Sequence, residues 1–186
     1  MSYSVMSYSV IPKHGGYKNL MSFQMSTVVF DYTYKFVEKY IDPKSRTVDQ
    51  MQQATRSGKQ NIAEASMASG TSKKTELKLL GVARASFEEL LVDFEDFLRL
   101  KHLSIWTKEN PKVKEIRNLA YVSNKSYLTY MPYLQAPETA ANCAICLIHQ
   151  TNYLLDRQLK SVEQEFLTQG GLTERLYSAR KNQINK

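Results

Sequence analysis

Three groups of residues in this chain have types and spacings that chemistry uses. The first is Arg56-Ser57-Gly58-Lys59, followed by the basic turn Ser72-Lys73-Lys74. A phosphate-binding loop needs a glycine five residues before Gly58 and a serine or threonine after Lys59, and it must precede a helix so that free amides face the phosphate. Those positions hold Gln53 and Gln60, and the segment lies inside a helical pattern. That chemistry is excluded.

The second group is Cys143-Ala-Ile-Cys146 with His149, which imitates metal-ligand spacing. A structural zinc site needs four ligands, and His14 and His102 stand in unrelated contexts. A redox CxxC needs a βαβ setting. Flanked by alanine, isoleucine and leucine, the two cysteines read as small hydrophobes of a core helix. The third group is acidic: Glu88, Glu89, Asp93, Glu95 and Asp96. These carboxylates interleave with apolar residues at positions that face solvent, with no histidine or cysteine nucleophile beside them. No Ser-His-Asp set, metal cage or cofactor loop emerges, so we expect a protein that is not an enzyme and takes neither cofactor nor metal.

The basic residues are harder to set aside. Arg56 and Lys59 are one turn apart and flank the Thr55 seam of their helix by ~100° and ~40°. Lys73, Lys74 and Lys78 crowd the start of the next helix, where positive charge opposes the helix dipole. That local cost needs an offset, and an anion bound at this corner would supply one. Residues 54–84, which also include Arg84, carry a net +4, whereas 85–99 carry −4, 100–135 carry +4 and the tail from 170 adds +3. Such a distribution suits an ordinary solvated surface, makes nucleic acid or an acidic partner a reasonable one, and equally permits self-association through opposite patches.

Long helices must position these groups. Leu20, Phe23, Thr27, Phe30, Tyr34, Val37 and Ile41 alternate by three and four, which predicts a first helix over 20–42, ended by Asp42-Pro43. Thr47 with Gln50 forms a capping-box pattern that opens a second helix. Its seam runs Val48, Met51, Thr55, Gly58, Ile62 and Ala65, with Gly70 placed to end it. Leu80, Ala83, Phe87, Leu90, Phe94 and Phe97 define a third helix from about Ser72 to Leu103. The fourth starts at Pro137, a favoured first-turn residue, and closes at Gly170-Gly171. The expected architecture is all-α: an antiparallel four-helix bundle over 20–169 with a helical hairpin (105–135) inserted between the third and fourth helices. Residues 1–19, where MSYSV occurs twice, are expected to be a flexible N-terminal segment, and 170–186 a basic C-terminal tail. The 186-residue length suits one core. With no secretory signal, no span of bilayer length and only two cysteines, we expect a cytoplasmic protein.

Arg56-Ser57 leading into Asn61-Ile-Ala-Glu-Ala65, then the run from Ser72 to Leu98, resembles a bacterial four-helix-bundle family. That family includes proteins encoded in intervening sequences of large-subunit ribosomal RNA genes and the accessory variability determinant of diversity-generating retroelements. The likeness covers about 30–104; Ala65 stands where the family usually has glycine, and Gly70 comes later. The long fourth helix and the 105–135 insert are more similar to the subgroup with a four-helix suffix region. The resemblance implies a homo-oligomer, a pentamer in the retroelement proteins, that binds nucleic acid and a reverse transcriptase. Together with the charge pattern it makes a non-enzymatic binder of RNA, DNA or a nucleoprotein the leading expectation, with Arg56, Lys59, Lys73, Lys74, Lys78 and Arg84 as contacts. The alternative is a structural, partner-docking scaffold without nucleic-acid contact, in which Glu64 and Asn61, off the seam of the second helix, serve a second interface.

Overall fold

The computed structural model describes residues 11–122 and 126–184, and the MSYSV repeat lies outside them. Among the described residues the fold is all-α, with no strand. Helix α1 (Met21–Tyr40) stops ahead of Asp42-Pro43. The Ser45 amide then donates to the Asp42 carbonyl at 2.8 Å, which closes a turn. Ser45 caps α2 (Arg46–Ala68) by accepting from the Thr47 amide. The cap therefore sits two residues before the expected Thr47, which already belongs to the first helical turn. Ser72 caps α3 (Lys73–Leu100), its hydroxyl accepting from the Thr75 amide, as favoured N-cap residues do.

The inserted segment is less regular than a helical hairpin. Asn110 caps a short α4 (Pro111–Leu119), and the tyrosine-rich stretch Tyr127–Gln135 winds as a 3-10 segment containing Pro132. Proline has no amide hydrogen to continue an α-helical ladder. Both pieces still reach the core: Val113, Ile116, Tyr130 and Leu134 are buried. Helix α5 (Pro137–Gln169) then runs 33 residues, and α6 (Leu172–Ile184) occupies what the sequence suggested was only a tail. No helix among the described residues is long and apolar enough to cross a membrane.

Helix α1 packs against α2 and α5, and α3 packs against the same two, so the four long helices surround one core. Contacts fix their directions. Ser22 meets Gln158 while Tyr32 meets Ala140, so α1 and α5 run oppositely. Lys73 meets Glu165 while Arg84 meets Asp156, so α3 and α5 do too. Tyr32, Phe36, Phe87 and Phe94 are completely buried; each such side chain is worth roughly 1.5–3 kcal/mol of transfer energy. Phe36 places its ring edge-on against Phe94 and Phe97, at 4.8 and 4.9 Å between centroids.

The N-terminal segment joins this body from His14 onward. The Gly15 amide donates to the Ser66 carbonyl, and the Ser66 hydroxyl donates back to the Gly15 carbonyl, each at 2.9 Å. The role expected of Gly70 changes accordingly. It does not take the left-handed cap conformation; a Cβ there would lie 2.8 Å from the His14 ring, so the missing side chain admits the N-terminal segment.

Gly58 lets α3 come close to α2. A Cβ on it would stand 2.6 Å from the ring of the fully buried Phe87, so something in the core must shift. The Gly58→Ala variant gains helix propensity of up to about 1 kcal/mol but overpacks the core at a cost of about 1–3 kcal/mol or more. A net loss of stability by urea titration is the expected outcome.

Candidate functional site

The corner between α2 and α3 collects the residues singled out for their charge, and the structure divides them. Ser57 and Ser86 share a hydrogen bond across the helix pair at 2.9 Å. From that pairing, Lys74 lies twelve residues toward the start of α3, ~18 Å along the axis from Ser86 at 1.5 Å per residue. Arg56 and Lys59 thus lie beside the middle of α3, whereas Lys74 and Lys78 lie at its beginning. They do not form one compact patch.

Lys73 is not a surface cation. It is only 6% exposed, and its ammonium donates to Glu76 at 2.9 Å and to Glu165 at 2.8 Å. Its place in the expected contact set is corrected: the anion that offsets positive charge at this helix start is intramolecular, supplied by α3 itself and by α5. Burial alone would push the Lys73 pKa down, but its hydrogen bonds and charge attraction to Glu165 and Glu76 outweigh it and the pKa is raised. The Glu76 pKa is raised as well, by burial first and by the neighbouring Glu165 charge, against the lowering pull of Lys73. Arg84 is likewise occupied, paired with Glu88 one turn on and with Asp156 of α5.

The other four cations differ. Arg56, Lys74 and Lys78 are exposed and enter no ion pair among the described residues. Lys59 is half-buried, its Nζ 3.6 Å from the centroid of the Phe30 ring on α1. This is a cation–π contact; it holds the stem against the bundle without cancelling the charge. Asn61 is half-buried and donates to the Ser57 carbonyl and hydroxyl one turn back on α2. Ile62 and Ala65 of the same motif are buried, and Glu64 is exposed.

The remaining candidates separate just as plainly. Cys143 and Cys146 are free and buried in the core, where loss of water pushes both thiols up, Cys146 to about 11. Such thiols are poor nucleophiles and poor metal ligands at neutral pH. His149, by contrast, is exposed. Within the acidic run, Asp93 is not freely solvated as expected. It is half-buried, its Oδ2 has no hydrogen-bond partner, and burial, followed by Glu89 and Asp96, raises its pKa to about 6.

No family model matches this chain, and neither the curated proteins nor the solved structures contain a match.

Two outcomes follow from these charges. Lys73→Met leaves the Glu76 carboxylate buried without its cation, so stability falls by roughly 3 kcal/mol at pH 8, and adding Glu76→Gln recovers part of that loss in chemical denaturation. For Asp93 the folded pKa lies above the ordinary 3.8, so the protonated acid is the form the fold favours. Its contribution is present below about pH 4 and lost as pH rises through about 6. Asp93→Asn therefore stabilises the protein at pH 8 by roughly 1–3 kcal/mol, partial exposure screening the full shift. The variant also has a flatter profile of thermal midpoint against pH.

Proposed function

We propose that this protein is a non-enzymatic, oligomeric helical protein that binds nucleic acid or a nucleoprotein partner. The observation that carries this reading is the set of cations left without counter-charges among the described residues: Arg56 in solvent and Lys59 on Phe30 at mid-helix, and Lys74 and Lys78 in solvent at the start of α3. Lys73 and Arg84 drop out of the contact surface because carboxylates of the same chain already neutralise them. We read the ring of four long helices as a four-helix bundle carrying α4 and the 3-10 segment as an insert. Within that reading the protein is an accessory to a reverse transcriptase of a diversity-generating retroelement, assembled as a ring. Its support is the resemblance carried by Arg56-Ser57, the Asn61-Ile-Ala-Glu-Ala65 run and the Ser72-Lys73-Lys74 turn.

A rival reading is a docking scaffold without nucleic-acid contact. It draws on the outer face of α3, where Gly81, Ala85 and Val92 are exposed in series.

Phosphate-led binding has a clear signature: affinity falls with salt at a slope near −0.9 per contact and shows little sequence preference. Four contacts predict a loss on the order of 100-fold between 50 and 200 mM salt. The discriminating variant is Lys74→Glu/Lys78→Glu, since Lys73 would perturb the fold. Filter binding of RNA and DNA, with light scattering on the same samples, decides the matter. Weakened binding by an intact assembly supports the proposal; an assembly that dissociates favours the scaffold, and no complex at either salt level sinks nucleic-acid binding altogether.

A further inference from the structure

A second surface, remote from the α2–α3 corner, has a different chemistry. Between α1, α4 and α5 lies a cleft of about 460 Å³, within the range of small-molecule sites. Two tyrosine–arginine pairs, each four residues apart, reach its walls: Arg117 of α4 with Tyr121 in the turn that follows it, and Tyr153 with Arg157 on α5. The Tyr121 and Tyr153 side chains are 87% and 61% exposed, so both are open to a ligand. The Arg157 guanidinium lies 5.9 Å from the Tyr153 ring centroid. Neither arginine enters an ion pair among the described residues, and no aspartate or glutamate lines the cleft.

Two further features narrow the ligand. Met25 is buried at the cleft and Met21 stands exposed at it, so the α1 side is apolar. Gln150, one turn before Tyr153, has a buried amide whose donor and acceptor are both without partners. An orphaned buried amide costs free energy, and a ligand edge carrying an acceptor beside a donor would satisfy it. Open aromatic faces, unpaired guanidiniums and an amide of that kind together describe how proteins hold unpaired bases.

We infer that this cleft binds an unpaired nucleotide. Its base lies on the tyrosine faces, its polar edge pairs with the Gln150 amide once that buried side chain turns into the cleft it lines, and its phosphate takes the charge of Arg117 and Arg157. The inference shares a ligand class with the proposed function but stands on another face of the molecule. A nucleotide can arrive free or within a single strand, and both present the same chemistry.

The test is fluorescence anisotropy with a labelled 12-nucleotide RNA, the matching DNA and their duplexes, with AMP and UMP as competitors. The single strands bind more tightly than duplexes of the same sequence. Tyr153→Ala and Gln150→Leu each weaken the single strand roughly fivefold or more, in keeping with the loss of a stacked base, while circular dichroism is unchanged. Displacement by AMP or UMP identifies the free nucleotide as a sufficient ligand, and strand binding without displacement identifies the strand. Variants that bind within twofold of the parent overturn the assignment, as does the absence of binding by any strand or mononucleotide. Lys74→Glu/Lys78→Glu separates the two readings. Should it leave binding intact while Tyr153→Ala weakens it, the cleft stands and the basic corner falls; the converse result removes the cleft.

Discussion

The architecture depends on how closely α2 can approach α3. At Gly58 the absence of a Cβ brings the Phe87 ring to the α2 backbone, and the Ser57–Ser86 hydrogen bond ties the same level of the two helices. One close contact of this kind sets a register, because a helix that slides by a turn loses its fit to the opposing side chains. That register carries Lys73 to the foot of the bundle, where Glu165 of α5 waits, and Arg84 to Asp156. Residues that look like a phosphate motif in the chain are thus the packing device that aligns the helices.

The α2–α3 region also illustrates how a net charge divides once the chain folds. Its basic residues are alike in composition, yet some are consumed in bridging helices and others remain for solvent. Burial decides between the two fates. A buried ammonium must be paired, since an isolated charge away from water is costly, and Lys73 has two carboxylates for that purpose. An exposed lysine has no such requirement, and Lys74, its neighbour in sequence, has none. The two adjacent lysines therefore belong to different parts of the protein's physics.

Much of the helical frame was legible from spacing alone. The seams of the four long helices, the Ser72 start of α3 and the Pro137 start of α5 are local properties, written within a few residues of one another. What was not legible involves partners far apart in the chain. Glu165 lies 92 residues from Lys73, and Asp156 lies 72 from Arg84; no periodicity in one helix announces its neighbour on another. The same holds for Gly70, whose role depends on His14, and for the cleft, whose two Tyr-Arg pairs come from α5 and from the end of α4 with its following turn. The Ser45 cap was missed for a local reason: the pattern around Thr47 was a plausible capping box, but the Asp42–Ser45 turn had already placed an earlier hydroxyl at the helix start.

The segment before α1 and the start of α6 meet at the same place. Gly15 is bound to Ser66, His14 lies over Gly70, and Arg175 of α6 donates to the Gly70 carbonyl. The α2–α3 corner is therefore a clasp on which the chain closes. A disturbance at that corner is felt at once by the segment that precedes α1 and by the helix that follows α5, so two stretches far apart in the chain share one anchor.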